Sequence, residues 1–510
     1  MKYCKLRGLF YIVILVAGVC LAACGSHSGK RLEGPPESID DLRQARLGTW
    51  TESGEEYYLE KLFPEAKFVR LDYLSDLVQN LLIGKVDAIM IQRIMADILI
   101  KEGMTIDYFP DTLCSVPDVY AFTVSERGRI LQQQVNEYVA AIDADGTLDS
   151  LKRKWLEGEE NDRFFTRAES SGENGTIVIG SSVESVPYSY IKNGEATGYE
   201  IEILDRFCAA YGYKYKLITS EFDAMIASLS AGKIDIAASY IEDVPGRDDN
   251  VLFSIPIEEG CCVMVYRTGQ AVGGGFLRSL GRKVRATLID EDRWKMIAGG
   301  IGVTLVITLL ASVFGTLLGF VVYLLYHEKH AALNRIIDTS VRFLQGLPDL
   351  ILLMFFYYAV FGNVDISGTI VAVIVFALIL SVSVFIMLKS GSESIPKGQT
   401  EAALALGFTE RRTFLKFILP QVVTVFFPTY QNKLVDLMLS TSVVGYIAVQ
   451  DLTRVGDLIR SRTFDAFVPL IIASLIYFLI SWLIIKGMDL LLKRIDTRNR
   501  KPEQILKGVK

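Results

Sequence analysis

The chain has 510 residues, enough for several domains, and 51% of them are hydrophobic without being spread evenly. A formal net charge of −6, with no basic stripe interleaved with aromatics outside the regions flanking apolar segments, argues against a nucleic-acid partner. No G-x-x-x-x-G-K-S/T occurs, so any ATP chemistry has to come from another protein. At the N-terminus, Lys2, Lys5 and Arg7 precede an apolar stretch from Leu9 to Ala22, too short for comfortable spanning and shaped like a secretory signal; it ends in Leu21-Ala22-Ala23-Cys24. Cys4 and Cys20 would leave with that signal. Cys114, Cys208, Cys261 and Cys262 have neither a disulfide-framework spacing nor a CxxC metal pair, and no metal is expected.

Beyond the leader, one small unit is written twice. Ser75-Asp76-Leu77 through Gly84-Lys85-Val86-Asp87-Ala88-Ile89-Met90 is echoed by Phe222-Asp223-Ala224-Met225 through Gly232-Lys233-Ile234-Asp235-Ile236-Ala237. Each copy reads as an amphipathic helix closed by a glycine, then a turn, then a buried strand. Two copies about 150 residues apart predict two similar α/β lobes with a ligand cleft between them. Arg167 to Gly175, rich in Ser, Gly and Glu, and the Gly273-Gly274-Gly275 run read as linkers.

From residue 295 the composition changes. Ile297–Tyr326, Phe343–Gly362, Gly368–Leu388, about Val422–Val449 and Ala466–Leu492 each reach the roughly 20 residues that a hydrocarbon core of about 30 Å requires. Lys329 and Arg335 follow the first; Lys389, Lys397, Arg411, Arg412 and Lys416 the third; Lys493, Arg494, Arg498, Arg500 and Lys501 the fifth. The positive-inside rule puts those loops in the cytoplasm, residues 363–367 and the loop Gln450–Asp465 outside, and everything before residue 295 outside as well. In the fourth segment Lys433 and Asp436 share a helical face and would each cost roughly 2.5 to 3.5 kcal/mol alone at the membrane centre. They either pair, within the helix or across a subunit interface, or line a solute pathway. Asp349, after Pro348, reads as a helix start at the cytoplasmic edge. After the third segment, Ser394 is an N-cap candidate, Pro396 falls in the first turn, good helix formers run to Leu406, and Gly407 supplies a left-handed stop, which predicts two short helices.

Several of these stretches resemble known families. Leu21-Ala22-Ala23-Cys24 resembles a bacterial lipobox, which implies lipidation of Cys24; an uncleaved signal anchor is the alternative. Glu401-Ala402-Ala403, then Gly407, then Phe417 followed after one residue by Leu419-Pro420 resemble the EAA loop of ABC importer permeases, with Phe417 where Ile is usual. In that family the loop docks on the ATP-binding subunit; an amphipathic loop with no partner is the plain alternative. The C-terminal half resembles five-span permeases of polar amino-acid ABC importers through Gly302-Val303-Thr304-Leu305, Gln345-Gly346-Leu347-Pro348, Asn432 and Thr441-Ser442, departing at Gln345 and Leu347.

Residues 176–267 resemble the first half of extracytoplasmic amino-acid-binding proteins, through Ile177-Val178-Ile179, Pro187-Tyr188, Gly198-Tyr199-Glu200 and Phe253-Ser254 after Arg247. Residues 38–165 resemble the second half, from Ser38-Ile39-Asp40-Asp41-Leu42 to Asp145-Gly146-Thr147-Leu148 and Trp155. The halves stand in exchanged order, which reads as a circular permutation, two degenerate half-modules being the alternative. The resemblance puts a carboxylate-gripping arginine at Arg247, whose planar fork suits both carboxylate oxygens, ligand-sandwiching aromatics at Tyr188 and Phe222, and a hydroxyl donor at Ser53. Glu242 and Val244 replace the usual Ser and Thr, and Gln92 replaces the Asp that receives a ligand ammonium. Glu242 either takes over that contact or neutralises Arg247, and each aromatic taken alone reads as core.

The expected architecture is therefore a bilobal α/β periplasmic-binding-protein-like module with its halves swapped, followed by an all-α five-span permease. Its bounds are a lipoprotein signal 1–24, tether 25–37, second-half segment 38–165, linker 166–175, first-half segment 176–267, linker 268–295, permease 296–495 with its EAA loop at 389–421, and a basic tail 496–510. The expected function is the substrate-binding and membrane-spanning subunit of an ATP-driven importer of a polar amino acid or similar solute. The chain would sit multi-pass in a bacterial cell membrane with the module on the extracytoplasmic face. It is not expected to be an enzyme or to hold a cofactor; ATP and Mg belong to the ATP-binding partner subunit, and a permease homodimer is the simplest assembly. A solute-sensing receptor without transport is the alternative, but only about 18 residues of basic tail follow the last segment to carry an output.

Overall fold

The computed structural model describes residues 34–51, 53–243, 251–269, 276–326, 331–362, 364 and 366–495; the leader with Cys24, Val244, Arg247, the Gly273–Gly275 run, Lys329 and the basic tail lie outside them. The chain divides into two compact units, one of residues up to Val116 with Gly260–Gly273, the other of Pro117–Glu259 with Gly274 onward.

In the first unit, strand Arg46–Trp50 runs parallel to Lys67–Leu71 on one side and to Ala88–Gln92 on the other. The part of strand Glu258–Arg267 beyond Gly260 returns antiparallel, with Cys262 opposite Gln92 and Tyr266 opposite Ala88. Leu47, Leu59, Ala88, Met90, Cys262 and Met264 close a core under the helices. In the second unit, parallel strands Lys214–Thr219, Thr176–Ser181 and Ile236–Glu242 are followed antiparallel by the stretch 117–123 of strand Cys114–Thr123. Residues from both sides of the linker 166–175 thus build one sheet. The linker runs along helix Tyr199–Ala210, where Asp205 accepts the Ala168 amide at 2.8 Å and the Asn174 side chain donates to the Tyr211 carbonyl at 2.7 Å.

The repeated unit is present in both places. Helix Leu74–Leu82 precedes Gly84 at φ 73° and strand Ala88–Gln92; helix Phe222–Ser230 precedes Gly232 at φ 68° and strand Ile236–Glu242. Glycine reaches that left-handed conformation without steric cost. The aspartate before each strand ties it to a neighbouring strand in the same way. Asp87 accepts the Arg46 amide at 2.9 Å, and Asp235 accepts the Val178 amide at 2.8 Å.

Among the described residues of the C-terminal half, four helices are long and apolar enough to cross a membrane, covering Asp290–Leu325, Gly368–Glu393, Glu410–Ile447 and Val468–Arg494. The expected segment Phe343–Gly362 falls on a bent pair, helices Ala331–Gln345 and Asp349–Val360, which meet at 108° and bring the spans to five if the pair counts as one. Pro348 has no N–H and disfavours helix at Leu347, so the chain turns there. The inner piece is only about 18 Å long, shorter than a hydrocarbon core. Asp349 is the first residue of the inner helix, as expected, with Pro348 at the N-cap, and its carboxylate accepts a hydrogen bond from Ser440 at 2.9 Å. The segment 268–295, expected as linker, contains helix Phe276–Leu288, and the loop Gln450–Asp465 contains helix Leu452–Thr463. Lys433 and Asp436 pair within their helix at 3.1 Å, both exposed on the chain's surface.

The first two of these four long helices, Asp290–Leu325 and Gly368–Glu393, meet through glycines. A Cβ on Gly315 would lie 2.7 Å from the Ala377 carbonyl, and one on Gly319 would lie 2.6 Å from that of Ser381. Small residues spaced by four let the two backbones touch. Gly319→Leu is expected to cost about 1–3 kcal/mol through forced separation, read as a lower thermal midpoint of the purified chain in detergent, whereas the same change at Gly302, where no atom lies within 4 Å of the Cβ position, leaves it unchanged.

Candidate functional site

Three places carry the candidate functional residues. The first follows helix Gly368–Glu393. Ser394 is the C-cap of that helix, its hydroxyl donating to the Gly391 carbonyl at 2.7 Å, so it does not start the next one; Pro396 stands at that N-cap instead. Helix Lys397–Ala405 stops at Gly407, which has φ 87°. The Thr409 hydroxyl then caps the turn Glu410–Thr413, which continues through Phe414–Ile418 into helix Leu419–Ser440 rather than ending as a second short helix. The angle between the arms is held by Gln421, donating to the Gln399 side chain at 2.7 Å and to the Phe417 carbonyl at 2.8 Å, and by the edge contact of Phe408 with Phe417. Tyr323 of the first long helix stacks on Phe414, tying the turn to the helical core. Ala403 is buried, whereas Glu401, Ala402 and Pro420 are exposed. Leu404 is 41% exposed, Leu406 78% and Leu415 42%, an apolar surface rimmed by Glu410, Arg411, Arg412 and Lys416.

The second place lies at the other end of the long helices, where helix Leu452–Thr463 and its neighbours meet the 117–259 lobe. Arg454 is 1% exposed. Its guanidinium donates to the Ser182 and Ser220 carbonyls at 2.8 and 2.9 Å and pairs with Glu184 and with Glu221, the latter at 2.9 Å. Asp451 caps the helix that presents it, accepting the Thr453 and Arg454 amides. Around this centre Gln450 donates to the Thr219 hydroxyl, Lys233 donates to the Phe361 carbonyl at 2.9 Å, and the Tyr358 hydroxyl lies 3.0 Å from the Ala224 carbonyl. Arg462 bridges Glu160 and Glu291, and Leu458 packs with Val183, Ile191 and Ala196. Sequence reading saw none of this, because each partner is an ordinary surface-type residue until the chain brings them together.

The third place holds the residues the amino-acid-binding resemblance singled out. Ser53 is an N-cap, accepting the Glu56 amide at 3.1 Å while donating to the Trp50 carbonyl. Gln92 is buried at the end of its strand and packs so closely on Gly260 that a Cβ there would lie 1.8 Å from its amide nitrogen. Both belong to the first unit. Tyr188, Phe222 and Glu242 belong to the second. Tyr188 is 0% exposed, its ring against Tyr199 and Tyr240; Phe222 opens its helix and is half-buried. Glu242 ends its strand opposite Asp118, buried beside it. Burial, followed by the charges of Glu200, Glu242 and Glu258, pushes the Asp118 carboxyl up, and burial takes Glu200 to about 7 although the Tyr240 amide donates to it.

Glu184 is likewise pushed up to about 7, by burial first, with Arg454 opposing and Glu221 adding to the rise. An acid whose folded pKa stands above its unfolded value of about 4.5 keeps its proton better when folded, so its contribution is full below that value and is lost as pH rises towards 7. Glu184→Gln is therefore expected to flatten the fall in thermal midpoint between about pH 4.5 and 7; an equally steep fall in the variant would show that Glu184 does not hold its proton there.

A profile of the bacterial extracellular solute-binding proteins, family 3, matches residues 177–442, beginning at the strand that ends under Arg454. The L-cystine transport system permease protein TcyB of Bacillus subtilis is 30% identical over 220 residues, which are 43% of this chain and 94% of that protein. The probable amino-acid ABC transporter permease protein YckA of the same organism is 30% identical over 195 residues, 38% of this chain and 86% of its own length. A crystal structure of an amino acid ABC transporter with histidines is 27% identical, covering 39% of this chain and 94% of that one at a TM-score of 0.37. With more than half its length matched by the first family and nearly the whole of a permease relative covered, the chain belongs both to the family 3 bacterial extracellular solute-binding proteins and to the amino-acid ABC transporter permeases.

Proposed function

We propose that this chain captures a polar amino acid or amino-acid-like solute outside the cell and passes it through its own membrane helices, driven by a separate ATP-binding subunit that carries the ATP and Mg. The observation that carries this reading is the placement of two contact regions at opposite ends of one helical bundle: a solute-binding lobe bonded through Arg454 at one end, and the exposed Leu404, Leu406 and Leu415 beside Gly407 at the other. The turn at Lys397–Ile418 is the surface for the ATP-binding subunit, with Glu401, Ala402, Ala403, Gly407 and Pro420 as its motif. One such turn per chain favours a permease homodimer. The exposed Lys433–Asp436 pair fits a face that a second copy covers.

The outer module is read as circularly permuted, which the linker 166–175 supports by joining two strands' worth of chain within a single unit. Cys24 is read as a lipid anchor on the extracytoplasmic face, and the bounds 38–165, 176–267 and 296–495 as the working divisions. In the cleft, Arg247 would hold a ligand carboxylate, with Tyr188, Phe222, Ser53, Gln92 and Glu242 around it.

Reconstituted with its ATP-binding subunit, the chain is expected to accumulate amino acid in vesicles in an ATP-dependent way. Gly407→Val or Glu401→Lys is expected to abolish that uptake while solute binding persists, since a β-branched residue cannot easily take the left-handed stop and a reversed charge misaligns the contact. Normal uptake by well-expressed Gly407→Val would overturn the coupling assignment. Arg247→Lys is expected to weaken binding by about 1.5–3 kcal/mol, because an ammonium cannot make the two-pronged contact. Calorimetric titration with amino acids checks this, and an unchanged affinity would remove Arg247 from the site.

A further inference from the structure

Arg454 does more than join two surfaces, because of where its guanidinium ends. Strands Thr176–Ser181 and Lys214–Thr219 are parallel neighbours, with Ser181 opposite Thr219. Ser182 and Ser220 are the residues immediately after them, and the carbonyls of both are held by one nitrogen of Arg454. The carboxyl edge of a parallel sheet is where open α/β folds place their ligands. The two carboxylates on the other nitrogen extend the same grip: Glu184 starts the hairpin that leads to Tyr188, and Glu221 is the N-cap of the helix that begins with Phe222. A side chain from between the last two membrane helices thus fixes both loops that carry the candidate aromatic contacts.

We propose that Arg454 is a positioning residue for solute capture: it sets the loops 182–188 and 220–222, so that the affinity of the outer module depends on a residue of the permease. This rests on the reading that Tyr188 and Phe222 line the solute site. Planar geometry matters here, since four acceptors surround one guanidinium and an ammonium has only three hydrogens to give.

The test uses the full chain in detergent. Hydrogen exchange followed by mass spectrometry is expected to show faster exchange in peptides covering 182–192 and 220–226 for Arg454→Ala, a smaller increase for Arg454→Lys, and no change in peptides of residues 74–92. Unchanged exchange at the two loops in Arg454→Ala would overturn the proposal. Titration with L-cystine, L-glutamine and L-arginine then reads the consequence: whichever of these the unaltered chain binds should bind Arg454→Ala at least tenfold more weakly, with the lysine variant between. Equal affinity despite loosened loops would also overturn it and leave Arg454 as a joint alone. Should none of the three bind the unaltered chain, the reading of an amino-acid solute fails, while the exchange result still decides whether Arg454 positions the loops.

Discussion

A guanidinium cannot be taken out of water unless its charge and its hydrogens are answered, and the junction of lobe and membrane helices is organised around that demand at Arg454. Two carboxylates answer the charge and two backbone carbonyls answer the hydrogens of the second nitrogen. Removing one partner from such a pair typically costs about 3–5 kcal/mol, because the other charge stays buried. The surroundings follow from this. Asp451 starts the helix where Arg454 can reach inward, and Leu458, one turn further along the same helix, covers the contact with apolar surface. The lobe cannot lift from the helices without exposing that arrangement to water all at once.

The acidic groups of the lobe are consistent with a surface built to hold a cation from elsewhere. Glu184 and Glu221 find theirs in Arg454, Glu160 in Arg462, and Lys233 sends charge the opposite way to the Phe361 carbonyl. Deeper in the lobe, Asp118 and Glu200 hold their protons more tightly than ordinary carboxyls, first because burial penalises the charged form, with the neighbouring carboxylates adding to the rise at Asp118.

What the sequence disclosed was local. The helix–glycine–strand unit at 74–92 and 222–242 was legible because its glycines and apolar periods lie within a few residues of one another, and Gly407 was legible as a stop for the same reason. Long apolar runs located the membrane helices. Hydropathy is blind to direction, so it joined Phe343–Gly362 into one segment although Pro348 turns the chain sharply. Helix Phe276–Leu288 carried its signal in the spacing of Phe276, Leu280, Val284 and Leu288, masked by the glycine run before it and the many basic residues within it. Arg454 and Glu184, 270 positions apart, gave no local sign at all, and Tyr188 could not be told from a core residue, which its enclosure by Tyr199 and Tyr240 would also fit.

The glycine contacts of helices Asp290–Leu325 and Gly368–Glu393 have a mechanical consequence. Backbones that touch at Gly315 and Gly319 leave no side-chain layer to shear or re-pack, so these two helices form a single stiff beam. Flexing has to be taken up by the other elements, which include the 108° turn at Pro348 and helix Leu419–Ser440 with Pro428 in its interior. Phe414 touches the beam directly through Tyr323, whereas the piece beyond the Pro348 turn ends at Tyr358, whose hydroxyl reaches the Ala224 carbonyl of the lobe and the Tyr446 carbonyl. Force and compliance are thereby assigned to different helices of the same bundle.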